Sequence, residues 1–509
     1  MKKNALRILA ATLVLVMMLG LTVSAHAADW DGKITIVQSS DIINWDPCAS
    51  TDTNTKNCLK NIVLRCFETD DYFNVFPVLV NTFEQEDNLT WKFTLHEGVK
   101  FFDGTPVTTD DVIFCLTRAK EGSSSGKTLL KPVTQFEKVD DLTFRIHTAT
   151  PYGSMTTALS NTTATILSKA WVEKAEAGEC TWDDVMRNGA CGRYILGERS
   201  IGNSVTLVKN PNYFNPADAA QNEELTFRII PEGTTRTIMV QTGEADVNVN
   251  LDTASMQEVL EDPNVEILQH ESSTIYYIAL NCESPNLSNK LVRQAIAYAI
   301  NREDCLEVGY NGYGQVWENV WAPTVYGSSD NPSGYTYNPE KAMELLAQAG
   351  VSNLTLKACV KTDAEERIAQ VVQAYLAMVG INLEYTRIDN TILTEVMGAG
   401  EYDMCFDYTA FYNDPELFVG RQFQASGIGA KNYAHFDNEK VNELMVKATS
   451  TLDEAERMAC YTEINKILCD ECPWIGMFNS NLYALQHKGV KGVNVNVETT
   501  YYYHTIRYE

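Results

Sequence analysis

The sequence predicts an α/β fold divided into two lobes. Two observations carry the prediction: strand-like runs alternate with helical runs from Lys33 onward, and the alternation starts again after Ile275 around a separate strand–helix–strand unit. The chain has 509 residues, 45% of them hydrophobic, which is enough for a large core and for two to four domains of about 150 residues. No internal repeat is visible.

Residues 1–27 read as a targeting segment. Lys2, Lys3 and Arg7 precede the acid-free apolar stretch 8–23, and Ala25-His26-Ala27 offers a small-residue cleavage site. That stretch has 16 residues, short of the roughly 20 that a membrane-spanning helix needs. Cleavage after Ala27 and a soluble exported product are expected. The next cysteine is Cys48, so no lipid-anchor cysteine adjoins the cut, and the periplasm is the expected location.

Lys33 to Gln38 then reads as a buried strand, and Trp45-Asp46-Pro47 turns the chain away from it. From Asn54 to Phe67 the apolar residues Leu59, Ile62, Val63, Cys66 and Phe67 fall at helical spacing. Trp91 to Leu95 alternates as a strand, His96 to Asp103 turns, and Thr108 or Thr109 caps a helix containing Val112, Phe114, Cys115 and Leu116. The patch Gly122 to Gly126 reads as a loop. Strands are predicted at 143–147, 204–208, 226–230 and 245–249, with helical runs at 170–174, 182–186 and 235–242.

In the second half, a strand at 275–280 leads to helices at 289–300 and 339–349. The second of these starts at Asn338-Pro339-Glu340 and places Ala342, Leu345, Leu346 and Ala349 on one face. Strands at 354–358 and 382–385 flank a helix at 365–378, completing the second unit.

Acidic residues number 67 against 40 Lys and Arg, a formal net charge of −27, which becomes −30 when the three basic residues of the targeting segment are removed. Such a surface repels nucleic acid and anionic membranes. Of the 13 cysteines, Cys48/Cys58 and Cys180/Cys191 are close enough in sequence to pair. An export compartment permits disulfides and an anaerobic host leaves thiols, so both states stay open.

Chemistry-bearing motifs are few. Gly122-Ser123-Ser124-Ser125-Gly126 matches the pattern of a hydrolase nucleophile elbow, but that elbow follows a strand, and a predicted helix precedes this one. A phosphate-binding loop through Lys127-Thr128 needs a glycine where Glu121 stands. Cys469-Asp-Glu-Cys472 stands alone without further zinc ligands, and the mature chain's six histidines are scattered. No catalytic residue, metal site or cofactor is assigned.

The run from Trp91 to Val112, Trp-Lys-Phe-Thr-Leu-His-Glu-Gly-Val-Lys-Phe-Phe-Asp-Gly-Thr-Pro-Val-Thr-Thr-Asp-Asp-Val, resembles the hallmark segment of the peptide/nickel solute-binding family, family 5 of the bacterial extracellular solute-binding proteins. Further matches lie at Cys191 to Tyr194, Lys209 to Phe214, Gln241 to Val247, Leu291 to Arg302 and Tyr337 to Ala342. The resemblance implies a type II periplasmic binding protein fold in its three-domain variant. Domain I would comprise 28–72, 193–280 and the return segment 483–509; domain II 73–192; and domain III, the second lobe, 281–482. It also implies a monomeric receptor of an ABC importer that closes on a small solute and delivers it to membrane permease subunits.

Peptide-binding members hold the peptide's ammonium with an aspartate three residues before an acidic-Pro pair. Aligning on Asp414-Pro415 puts Phe411 there. A phenyl ring cannot neutralise a buried ammonium, and an unpaired one costs several kcal/mol. Asp407 is the nearest substitute. With Tyr408, Phe411 and Tyr412, and with Trp45 and Trp321 in loops that approach the cleft in the family, an aromatic-lined pocket is expected, suited to sugars, heterocycles or organic cations. The ligand classes left open are a peptide or peptide-like solute, a sugar or organic cation, and a nickel chelate. A chaperone-like binder and a hydrolase are the remaining alternatives.

Overall fold

The computed structural model describes residues 30–49, 52–325, 327–328, 334–410, 414–497 and 501–509, so the targeting segment, Phe411 and Tyr412 lie outside the described residues. In the first lobe, β1 (Lys33–Gln38) leads to α1 (Thr53–Ile62), then to the hairpin β2 (Val80–Asp87) and β3 (Thr90–Leu95). After α2 (Thr109–Gly122) come β4 (Val133–Lys138) and β5 (Thr143–Thr148), which close a four-stranded antiparallel sheet in the order β2-β3-β5-β4. β6 (Tyr194–Ser200), β7 (Ser204–Lys209), β8 (Glu224–Ile229) and the short β9 (Val247–Asn248) return the chain to β1, which pairs in parallel with both β8 and β9.

The hallmark run builds this lobe. Gly98 and Gly104 take left-handed backbone at φ 78° and 89° to make its turns, and Thr108 with Asp111 forms a capping box on α2. Asp103 accepts a hydrogen bond from the Trp171 indole at 2.8 Å. One contiguous core runs beneath both sheets, from Ile34 through Phe93 and Leu159 to Ile506. The C-terminal segment is pinned to it by asparagines: Asn57 accepts from the Tyr501 N–H at 2.8 Å, and Asn222 donates to the Tyr503 carbonyl at 2.8 Å.

From there the long β10 (Val265–Leu280) carries the chain into the second lobe. Its helices α3 (Lys290–Ala299), α4 (Arg302–Tyr310) and α5 (Pro339–Gln348) precede β11 (Leu354–Val360), α6 (Asp363–Met378) and β12 (Ile381–Arg387). β13 (Met404–Ala410), α7 (Pro415–Gln422), α8 (Glu439–Ser450) and α9 (Glu454–Glu471) follow, and β14 (Trp474–His487) runs back to the first lobe. The lobe-two strands are buried on both faces, by α3 to α6 on one side and α7 to α9 on the other. Near-continuous apolar strands such as Met404-Cys-Phe406 are the expected outcome.

A single mixed sheet joins the lobes in the order β6-β7-β8-β1-β9-β14-β10-β13-β11-β12. β9 reaches β14 only at Gln486 and Leu485, and β13 reaches β10 only from Thr274 onward. Between these points the lobes are connected by β10 and β14 alone. At the lobe-two end of this neck the register slips: Glu271 faces Asn481, but Ile275 faces Asn479, which is a bulge in β10. The fully buried Asn479 amide donates to the carbonyls of Ser272 at 2.8 Å and Thr274 at 2.7 Å, and Ser272 Oγ meets Ser480 Oγ at 2.9 Å. Side chains thereby satisfy the groups that the bulge removes from the ladder.

Three sequence expectations change. The helix predicted over 54–67 ends at Ile62, because Val63 turns extended and Leu64–Arg65 and Phe67–Thr69 pair as strands with Thr165–Ile166 and Val75–Pro77. The patch 122–126 is helical, not a loop: Ser123 caps the helix Ser124–Leu129, and Gly126 packs where a Cβ would meet the Ala119 carbonyl oxygen at 2.1 Å. All 13 cysteines are free thiols, so neither Cys48/Cys58 nor Cys180/Cys191 is bridged. Burial pushes Cys66, Cys115, Cys191 and Cys472 up to about 12, which keeps them protonated and unreactive.

Replacing Asn479 by Leu strips its amide from the carbonyls of Ser272 and Thr274 and leaves Ser272 only the Thr324 hydroxyl at 3.4 Å, at about 1–3 kcal/mol for a buried group left unpaired. A urea denaturation midpoint lowered to match is expected; an unchanged midpoint would remove Asn479 from the neck's support.

Candidate functional site

The parallel strands of the two lobes end toward each other. β9 advances along β14 toward the neck, and β13 stops at Ala410, opposite Thr274 at the neck's other end. Open α/β sheets bind ligands outside the carboxyl ends of their strands, so the crevice between these ends is the candidate site. Lobe one contributes the segment after β1, where Asn54 of α1 donates to Ser40 Oγ at 2.6 Å and Ser39 Oγ at 3.1 Å, and where Ile43 is 76% exposed. Lobe two contributes Lys361 after β11 and the end of β13.

Asp407 is held in an ion pair there. Its Oδ1 lies 2.6 Å from Lys361 Nζ, and the Tyr277 hydroxyl donates to Oδ2 at 3.1 Å. Lys361 also donates to the Phe406 carbonyl at 2.8 Å and lies 3.1 Å from Glu365. Burial works against the Lys361 ammonium, yet Asp407 and then Cys405 and Glu365 more than offset it, and its pKa is raised. Burial also raises the Glu365 carboxyl.

Tyr408 points to the opposite face of the strand. It is 52% exposed, with its ring 5.5 Å from Tyr276, which itself packs on Tyr310 and Phe478. Trp321 is fully buried, edge-on to Tyr461 at 6.4 Å, and its indole N–H has no hydrogen-bond partner. Trp45 is buried in lobe one, where its indole donates to Asp183 at 2.8 Å and Arg199 lies 5.7 Å from the ring. Asp407 and Tyr408 thus share a strand end, whereas Trp45 and Trp321 sit inside separate lobes. Phe411 and Tyr412 directly follow that strand end in sequence.

The lobes also meet away from the strand ends, through residues that the sequence reading did not single out. Asp414, the N-cap of α7, accepts from Ser154 of lobe one at 2.8 Å, from Tyr461 at 2.9 Å and from Arg457, which also donates to Ser154 at 2.8 Å. Ser154 is buried and Asp414 is 8% exposed. Gly153 packs so tightly on lobe two that a Cβ would meet the Thr451 carbonyl oxygen at 2.6 Å. A cavity of about 640 Å³ adjoins this contact, lined by Tyr72, Phe73 and Thr156 from lobe one and Val325, Arg457 and Met458 from lobe two. Asp414-Pro415 was the available sequence signal, since Asp before Pro marks a helix start; its partner across the cleft was not readable.

The motifs without a role in this crevice take structural places. Cys472 caps α9 in left-handed backbone, and both Cys469 and Cys472 are pushed up by burial. Ser123 follows a helix where an elbow would follow a strand. Among the described residues no group of three or more His, Cys, Asp or Glu is placed to hold a metal ion.

The family described as Bacterial extracellular solute-binding proteins, family 5 Middle, matches residues 74–430. Glutathione-binding protein GsiB of Escherichia coli O1:K1 is 27% identical over 484 residues, covering 92% of this chain and 93% of GsiB. Heme-binding protein A of Haemophilus influenzae is 27% identical over 461 residues, covering 82% and 81%. Among solved structures, HbpA2 from Haemophilus parasuis superposes with a TM-score of 0.86 at 24% identity over 94% of this chain and 100% of that one, which establishes the fold.

Two outcomes follow from the interlobe contact. Ser154→Ala removes hydrogen bonds to a charged pair, worth about 1.5–3 kcal/mol together. Small-angle scattering should show a more open molecule with an almost unchanged melting temperature, because each lobe keeps its own core; an unaltered scattering curve would dismiss the contact as a latch. Burial, then Asp414, pushes the Glu416 carboxyl up from 4.5 to about 7. The native chain therefore keeps a proton that the unfolded chain loses, and this stabilisation is full below pH 4.5 and is lost as pH rises to about 7. Glu416→Gln should flatten that part of the stability–pH profile, and a profile identical to wild type would refute it.

Proposed function

The chain belongs to family 5 of the bacterial extracellular solute-binding proteins, and from that premise we propose that it captures a small organic solute that it does not hold by a terminal ammonium. The family places it as the solute-binding component of an ABC importer. The observation that carries the ligand reading is the Asp407–Lys361 ion pair at 2.6 Å. A carboxylate already neutralised by a neighbouring ammonium attracts a second one only weakly, since the incoming cation also meets the first. Phe411 offers no charge in its place. Asp407 and Tyr408 mark the lobe-two side in this reading, with Phe411 and Tyr412 next to them in sequence as further candidates; Trp321 packs within lobe two and Trp45 supports the lobe-one segment that faces it.

Relatives named for binding glutathione and heme support an organic solute larger than an ion, and among the described residues no three His, Cys, Asp or Glu are grouped to ligate a bare nickel ion. The protein acts as a monomer in the periplasm, freed from its targeting segment, and hands its solute to permease subunits. It performs no chemistry on the solute. The three-domain division with boundaries at 72, 192, 280 and 482 belongs to the same proposal. Its support is that, among the described residues, sheet pairing passes between the lobes through β10 and β14 alone, and that the segment 501–509 docks on lobe one.

Native mass spectrometry of the purified mature chain, with release of whatever travels with it, tests the ligand class. One defined organic molecule is expected; a heterogeneous set of short peptides would overturn the reading. Tyr408→Ala should weaken binding of the released molecule without unfolding the protein. Phe411→Asp should introduce an affinity for short peptides that the wild type lacks.

A further inference from the structure

A second cavity between the lobes, of about 420 Å³, lies on the other side of α7. Thr128, Lys131 and Pro132 line it from lobe one, and Arg421, Lys431 and Met445 from lobe two. Its charge is opposite to that of the chain. Lys131, Arg421 and Lys431 converge there in a protein with a net charge of −27, and among the described residues none of the three is paired with a carboxylate. Lys431 has only a phenol for company, donating to the Tyr433 hydroxyl at 3.0 Å.

The single acid in the lining is Glu416, whose Oε2 is buried without a hydrogen-bond partner. Its raised pKa leaves it largely uncharged in mildly acidic solution, so it offers a proton to a ligand more readily than a charge to the three cations. Met445, Val446 and Pro132 give the remaining wall an apolar character, which suits the carbon skeleton of an organic acid.

Closure itself adds to the case. Lys131 arrives from one lobe, and Arg421 and Lys431 from the other, so bringing the lobes together gathers like charges that an anion would neutralise. A ligand that contacts both lobes favours the closed state by its differential affinity. We propose that this cavity is an anion site for a carboxylate or phosphate group, assembled only when the lobes meet. The inference rests on the two-lobe receptor reading and adds a charge requirement to it.

The anion is either free in solution or part of the captured solute. The test is calorimetric titration of the full mature chain with inorganic phosphate and with citrate at fixed ionic strength, on wild type and on Lys131→Ala/Arg421→Ala. Both substitutions lie at exposed positions and should leave the melting temperature unchanged. Wild type should bind at least one probe, and the double variant should bind it at least about tenfold more weakly, the loss expected for a charge-assisted hydrogen bond. Small-angle scattering should show compaction with the bound probe in wild type alone. If the solute released in native mass spectrometry competes with the probe, the site holds the solute's own acid group; if both bind together, it holds a free anion. Failure of both probes to bind wild type, or equal binding to the variant, overturns the anion site. That result is independent of whether a solute travels with the protein, which decides the receptor reading separately.

Discussion

Everything that the two lobes do depends on how narrow their connection is. Between the end of β9 on β14 and the start of β13 pairing on β10 lies a stretch where β10 and β14 are hydrogen-bonded only to each other. A two-stranded ribbon is the least stable sheet unit, so bending concentrates there and the cores on either side stay rigid. The bulge at Ser272 to Thr274 increases local twist, but it also strips carbonyls from the ladder. The Asn479 amide caps them, so these carbonyls stay paired while Asn479 Oδ1 itself is buried without a partner.

A flexible joint requires that contacts elsewhere decide which lobe arrangement is populated. The Ser154–Asp414–Arg457 contact is suited to this, because a serine hydroxyl meets a charged pair already assembled within lobe two. Opening costs the pair little, since Tyr461 and Arg457 still hold Asp414. The two interlobe cavities flank this contact. One is lined mainly by uncharged polar and apolar groups around Arg457, the other by three cations. The lobe interface therefore holds two chemically distinct spaces, one lined by Asp414 at the start of α7 and the other by Glu416 and Arg421 further along it.

The legible parts of the fold were those where local pattern and tertiary role agree. The helix at 363–378 carries its apolar residues on one face, and β11 and β12 alternate or run apolar between clear breaks. The neck is where pattern fails. Gln269-His-Glu-Ser-Ser273 lacks the alternation of a half-buried strand because a ribbon crossing between lobes has no single core to face, so only the lobe-two half of β10 was predicted. α9 was missed because Asn465 is buried among Cys460, Tyr461, Ile464 and Leu468 while Met458 is exposed, which blurs its apolar face in the sequence. Of the site, the spacing from Asp414-Pro415 pointed to Phe411, which lies outside the described residues, and Asp407 was named only for lying close to it in sequence. Trp45 and Trp321 show the limit, since an aromatic ring reads the same in a sequence whether it lines a cleft or fills a core.

The pairing of Asp407 with Lys361 shows why a residue type alone does not define a recognition site. An aspartate at a strand end beside a crevice is the expected anchor for a cation, and its burial would strengthen that attraction in a low-dielectric setting. The same low dielectric makes an unpaired carboxylate costly in the empty receptor. Lys361, from the adjacent parallel strand, removes that cost permanently, and the Tyr277 hydroxyl and the Phe406 carbonyl fix the geometry of both charges. The Asp407 charge is then compensated within the protein, by an ammonium that also lies 3.1 Å from Glu365. A carboxylate compensated in this way contributes less to selecting a cation than shape and aromatic contact do.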